Sequence, residues 1–201
     1  MTESHFAKGK KTTTRTIRIE EDVDSALVEL ATKERISVNF LVNSALRKYV
    51  EWDYLAERFG IITNFNGASR KMMAYLSDDE VKELARWVGR NQFKEYVTFW
   101  FKSVDLENVL RSIKLLGYSG NFRYEEYVDG RVRTSVCKHN CGPKWSLYYE
   151  QVFKSVFEDL VKTQVTVEST DDQVLLKIPS SSQEFLETLY EDLQSVSKIR
   201  R

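Results

Sequence analysis

The hexamer Thr14-Arg15-Thr16-Ile17-Arg18-Ile19 restricts what this chain can become more than any other segment. Polar and apolar residues alternate along it, so it reads as a β-strand. Ile17 and Ile19 point to one face, and Thr14, Thr16 and Arg18 point to the other. A single short strand leaves many backbone groups without partners and is not stable alone. Such a strand near an N-terminus needs a partner strand, and a second copy of the chain can supply it.

The two faces suit different surroundings. The isoleucines are suited to burial against helices. The outward trio has chemistry that fits base edges: Arg18 can donate two parallel hydrogen bonds to guanine, and threonine offers a hydroxyl and a methyl. An ordinary edge strand with a solvated outer face accommodates Thr and Arg equally well. The neighbouring sequence decides between the two. Glu20, Glu21, Asp22 and Asp24 are acids where the positive end of a helix favours them. Val23, Leu27, Leu30 and Ala31 then recur on one helical face. Ile36 and Ser37 interrupt the pattern, and Ser37 suits the N-cap of a second helix. Leu41, Val42, Ala45, Leu46, Tyr49 and Val50 form its apolar stripe, which Trp52, Leu55, Ala56 and Phe59 prolong to Gly60.

Strand, helix, turn and Ser-capped helix within residues 14–50 resemble the ribbon-helix-helix DNA-binding family, the Arc/MetJ-like repressors. The resemblance rests on Thr16-Ile17-Arg18-Ile19-Glu20-Glu21, Ile36-Ser37-Val38-Asn39 and Ala45-Leu46-Arg47, and covers about a quarter of the chain. It implies a homodimer, or a higher oligomer, joined through the N-terminal strand, with the paired strands in the major groove of double-stranded DNA. It implies Thr14, Thr16 and Arg18 as base readers. It also implies that the backbone N–H groups of Ser37, Val38 and Asn39 hold a phosphate. The family often carries Gly where this chain has Arg35, so a left-handed Arg35 is expected, at a cost of roughly 1 kcal/mol.

Charge distribution agrees with that reading. The chain holds 30 basic and 30 acidic side chains. Lys8, Lys10, Lys11, Arg15 and Arg18 cluster in residues 4–19, which contain no acid, so the remainder is acidic on balance. Residues 1–13 read as a flexible basic arm whose Lys8, Lys10 and Lys11 suit phosphates. No apolar run reaches membrane-span length, and the N-terminus lacks an apolar signal region. With only two cysteines, a cytoplasmic, reducing location is expected and no membrane.

The expected organisation is the arm, a ribbon-helix-helix domain over 14–60, a junction over 61–69 with room for a short strand, and an α+β effector or oligomerisation domain over 66–201. Ser77-Asp78-Asp79-Glu80 is a capping box opening a helix. Residues 92–104 fit helix or strand, with helix favoured. Leu106 to Leu116 is an amphipathic helix, with Gly117 at its C-cap. Asp129-Gly130 signals a hairpin of strands near 122–128 and 131–138. Pro143 suits a helix start. A second hairpin carries Val165 and Val167 opposite Val174, Leu176 and Ile178, and a last helix follows Ser181. The result is an antiparallel sheet backed by helices.

Three features of the second domain carry chemistry. Cys137, His139 and Cys141 have donor atoms for zinc, copper or nickel, but at an uncommon spacing and without a fourth ligand. The plainer reading is a buried strand cysteine and a hydrogen-bonded histidine. Trp87, Trp100, Trp145, Tyr148, Tyr149 and Phe153 either fill a core, as such stripes commonly do, or line a cavity for a flat effector. The helix start at Gly142 with Lys144 suits an anion. The sequence shows no phosphate-binding glycine loop, nucleophile elbow or zinc-protease helix, so no enzyme is expected. The expected function is a sequence-specific transcriptional regulator, a repressor type with a regulatory C-terminal domain. The alternatives are an antitoxin whose C-terminal part binds a toxin, and a metal-responsive repressor.

Overall fold

The computed structural model describes residues 13–120 and 122–179. The chain is α+β, with helices and a four-stranded antiparallel sheet of order β1-β2-β4-β3. It divides into two compact units, Met1–Tyr49 and Val50–Arg201.

In the first unit, residues 13–20 form no strand in the single chain and are exposed. Helix α1 spans Glu21–Glu34, with Glu21, Asp22 and Asp24 in its first turn. Arg35 ends it in the left-handed conformation, φ 56° and ψ 42°. The Arg35 N–H donates to Thr32 O at 3.3 Å and the Ile36 N–H to Ala31 O at 3.0 Å, the paired bonds of a Schellman motif. Ser37 then caps α2 (Val38–Lys48), its Oγ accepting from the Phe40 N–H at 3.1 Å. Among the described residues of this unit, Ala31 alone is buried.

A π-helical turn, Tyr49–Asp53, falls at the division between the units. Helix α3 (Tyr54–Phe59) follows and closes at Gly60. Trp52 and Ala56 are buried in the same cluster as Phe93, Tyr96 and Val97, which is why this stretch belongs to the second unit. The junction holds no strand. Helix α4 (Asn66–Ala74) begins there instead and buries Met73.

The capping box at Ser77 forms as expected and opens α5 (Asp78–Trp87). The Ser77 N–H donates to Glu80 Oε2 at 2.7 Å, and the Glu80 N–H to Ser77 Oγ at 3.3 Å. After a π-helical turn, Val88–Gln92, α6 (Phe93–Phe101) resolves the ambiguous stretch as helix. Phe93, Tyr96 and Val97 are buried at helical spacing. Helix α7 (Leu106–Ser119) runs past Gly117, correcting the expected end. Gly117 serves packing: a Cβ there would lie 2.9 Å from Tyr124 Cβ.

Strands β1 (Arg123–Asp129) and β2 (Val132–Lys138) pair antiparallel, with Asp129 opposite Val132. The two-residue loop is Gly130-Arg131, one position later than expected, and Gly130 supplies the positive φ of 56°. Pro143 starts α8 (Pro143–Ser155), which a π-helical turn prolongs over Val156–Leu160. Strands β3 (Thr166–Ser169) and β4 (Gln173–Pro179) form the second hairpin, and β4 inserts beside β2. Val174, Leu176 and Ile178 bury one face of β4 in the core with Ile113, Val156 and Phe157. The helix expected after Ser181 lies outside the described residues. Among the described residues, no helix is long and apolar enough to cross a membrane.

Candidate functional site

Thr14, Thr16 and Arg18 lie in the extended, exposed segment before α1. Ile17 is 57% exposed and Ile19 37%, so the apolar face of this segment is uncovered in one chain. Val23, Leu30, Phe40 and Leu46 on α1 and α2 are exposed as well. Ser37, Val38 and Asn39 stand at the start of α2. Ser37 Oγ occupies the Phe40 N–H, and helix geometry leaves the N–H groups of Val38 and Asn39 without intrahelical acceptors. Lys8, Lys10 and Lys11 lie outside the described residues.

The expected metal ligands have other employment. Cys137 is buried in the apolar core, and burial pushes its thiol up to about 12. His139 Nδ1 accepts from the Cys141 N–H at 3.1 Å. The proton of the neutral ring therefore sits on Nε2, which donates to Ser146 Oγ at 3.0 Å. Cys141 Sγ turns back to His139 O at 3.0 Å. Among the described residues, no group of three or more His, Cys, Asp or Glu side chains is placed to hold a metal ion.

The same tautomer argues against a Ser–His nucleophile. A serine activated by histidine must donate to Nε2, whereas here Nε2 is the donor. The cluster instead fixes the corner between β2 and α8. Asp172 adds to it by accepting the His139 N–H on its backbone oxygen at 2.9 Å and the Gly142 N–H on Oδ1 at 2.8 Å. This occupies the anion position expected at Gly142 with a carboxylate of the chain itself. Lys144 is also engaged, donating to Leu76 O and standing 3.9 Å from Asp78 Oδ1. Sequence reading missed Ser146 and Asp172, because neither is marked by spacing; only the β3–β4 turn brings Asp172 to this corner.

The six expected aromatic residues separate. Trp87 is 55% exposed. Trp100 joins Trp52, Phe59 and Tyr96 in one cluster, and its Nε1 donates to Glu51 O at 3.2 Å. Trp145, Tyr148, Tyr149 and Phe153 of α8 line a cavity of about 270 Å³ facing α7, which Phe122 helps to close. Phe122 meets Tyr149 edge-on at 4.8 Å between ring centroids, and the His139 ring lies 5.3 Å behind Tyr149. Phe122 was not foreseen, since it is one aromatic among many before a strand.

No protein-family model matches the chain, and no curated protein matches it.

Proposed function

We propose that the chain is a sequence-specific DNA-binding transcriptional regulator that works as a homodimer, with its first unit forming half of a ribbon-helix-helix fold. The observation that carries this reading is the uncovered apolar surface of that unit. Two helices and an extended segment bury Ala31 alone among the described residues, while Ile17, Leu30, Phe40 and Leu46 remain exposed. Burying one such side chain contributes roughly 1.5–3 kcal/mol. A helix pair that leaves so many uncovered lacks the core it needs, and a second copy presenting the same surface completes it. The left-handed Arg35 followed by capped Ser37 supports the same reading, since it gives the turn that the resemblance requires.

In the dimer, residues 14–19 of the two copies pair as an antiparallel ribbon. Ile17 and Ile19 face the shared helices, and Thr14, Thr16 and Arg18 face the major groove. The N–H groups of Ser37, Val38 and Asn39 hold a backbone phosphate, and Lys8, Lys10 and Lys11 add contacts that do not read sequence. The second unit regulates or further oligomerises the first.

Selection of bound sites from random DNA by the full chain provides the operator for the test. Arg18→Ala then weakens operator binding by about 1–3 kcal/mol and relaxes preference at one base pair per half-site. Lys10→Ala with Lys11→Ala weakens binding to all sequences alike and flattens its salt dependence. An Arg18→Ala variant with the parent's affinity and base preferences would refute the ribbon assignment.

A further inference from the structure

Helix α4 carries two apolar faces. One is turned inward, where Met73 is buried and Ser69 half-buried. Beside it, Phe65, Ala68, Met72 and Tyr75 recur at spacings of three, four and three residues, the a and d positions of a helix that packs on another helix. All four are exposed, Phe65 by 85%, Met72 by 62% and Tyr75 by 77%. Lys71 stands at the flanking g position, its Nζ 5.3 Å from the centre of the Tyr75 ring. Residues 58–77 hold Arg58, Arg70 and Lys71 and no acid, so this apolar seam has a basic margin. A second copy of α4 is a poor partner for it, because antiparallel pairing would set Lys71 against its own copy.

The chain carries a matching seam of the opposite charge. After Pro179, Leu186, Leu189, Leu193 and Val196 repeat the three-four-three spacing. Glu184, Glu187, Glu191 and Asp192 accompany them, and no Lys or Arg stands between Lys177 and Lys198. Laid antiparallel to α4 as a helix, this segment sets Leu193 opposite Ala68 and Leu189 opposite Met72, with Val196 at Phe65 and Leu186 at Tyr75. Asp192 is then a g residue between the same two layers as Lys71, where antiparallel helices bring their g positions together. A parallel arrangement would bring Lys71 to the e position, Tyr190, and form no ion pair. The connection is long enough. Pro179 lies at the Val132 end of the sheet, and Asp172, before the other end of β4, holds Gly142, beside which the Arg70 side chain of α4 lies. Residues 180–185 span up to about 20 Å when extended, close to the length of β4.

We propose that residues 184–196 dock as a helix, antiparallel, on the exposed seam of α4 of the same chain, with Asp192 paired to Lys71. The contact covers Phe65, Met72 and Tyr75 and makes the C-terminal segment part of the second unit. It does not depend on the DNA reading.

Carbodiimide, which joins an amine to a carboxylate in contact with it, tests the proposal on the full chain. Unlabelled and isotope-labelled chains are refolded together from urea before the reaction. A cross-linked peptide joining Lys71 to Asp192 is expected, with both halves carrying the same label. Absence of this peptide overturns the pairing, and a peptide of mixed label places the segment on a second copy and overturns the same-chain assignment. Hydrogen exchange provides the second measurement. Met72 is exposed on α4, so Met72→Asp leaves α4 in place and is expected to speed exchange of amides 184–196 about tenfold. Lys71→Glu speeds it about fivefold, and adding Asp192→Lys restores the parent's rate. Exchange over 184–196 that is unprotected in the parent, or unchanged by Met72→Asp, overturns the docking.

Discussion

Arg35 holds φ 56° and ψ 42° because the Schellman bonds to Ala31 and Thr32 require a left-handed residue between α1 and α2. A side chain at that conformation costs roughly 1 kcal/mol, which glycine avoids. Arg35→Gly is therefore expected to raise the urea midpoint of the first unit by an amount equivalent to about 0.5–1 kcal/mol; an unchanged or lower midpoint would mean that the Arg35 side chain makes a compensating contact. His139 makes a pH-dependent contribution in the second unit. Burial lowers its pKa, and the Asp172 carboxylate opposes this to a lesser degree. The unfolded histidine takes a proton near pH 6.5, whereas the folded one resists protonation until lower pH. The stability is therefore fully present above that range and is lost as pH falls from about 6.5 towards the folded pKa. Thermal melts of the parent should lose stability as pH falls below about 6.5, and His139→Gln, which does not titrate, should lose less over the same descent. Parallel pH profiles would show that His139 does not carry the effect.

Among the elements, helices with strong local signals were legible in the sequence. The Ser77–Glu80 capping box and Pro143 each open the helix they announce, and Ser37 caps α2. The alternation of Val174, Leu176 and Ile178 marks the buried face of β4. Features set by tertiary contact were not legible. Gly117 reads locally as a helix end, yet it stands inside α7 so that Tyr124 can approach. The cavity is of the same kind: Trp145 and Tyr149 are visible at helical spacing, but no local pattern says that Phe122 joins them and Trp87 does not. The packing role of Gly117 gives a direct expectation. In an exposed helix interior, Gly→Ala stabilises. Here the added methyl would force α7 and β1 apart, so Gly117→Ala should destabilise the second unit by about 1–3 kcal/mol in denaturant unfolding. A stabilised variant would show that the helix and strand yield without cost.

For the whole molecule, the two units differ in how complete they are. The second, Val50–Arg201, closes a core in which Val81, Val97, Val109, Phe157 and Leu176 are fully buried. The first, Met1–Tyr49, buries Ala31 alone among its described residues. That contrast leads to the proposal that two chains share one N-terminal fold and read DNA through it. The most direct measurement is sedimentation equilibrium of the full 23.6 kDa chain at micromolar concentration, alongside the double variant Ile17→Asp, Ile19→Asp. A charge on the inner face of the ribbon cannot be buried without a partner. The parent is predicted to sediment as a dimer or higher oligomer and the variant as a smaller species. A monomeric parent, or a variant with the parent's oligomeric state, would contradict the account.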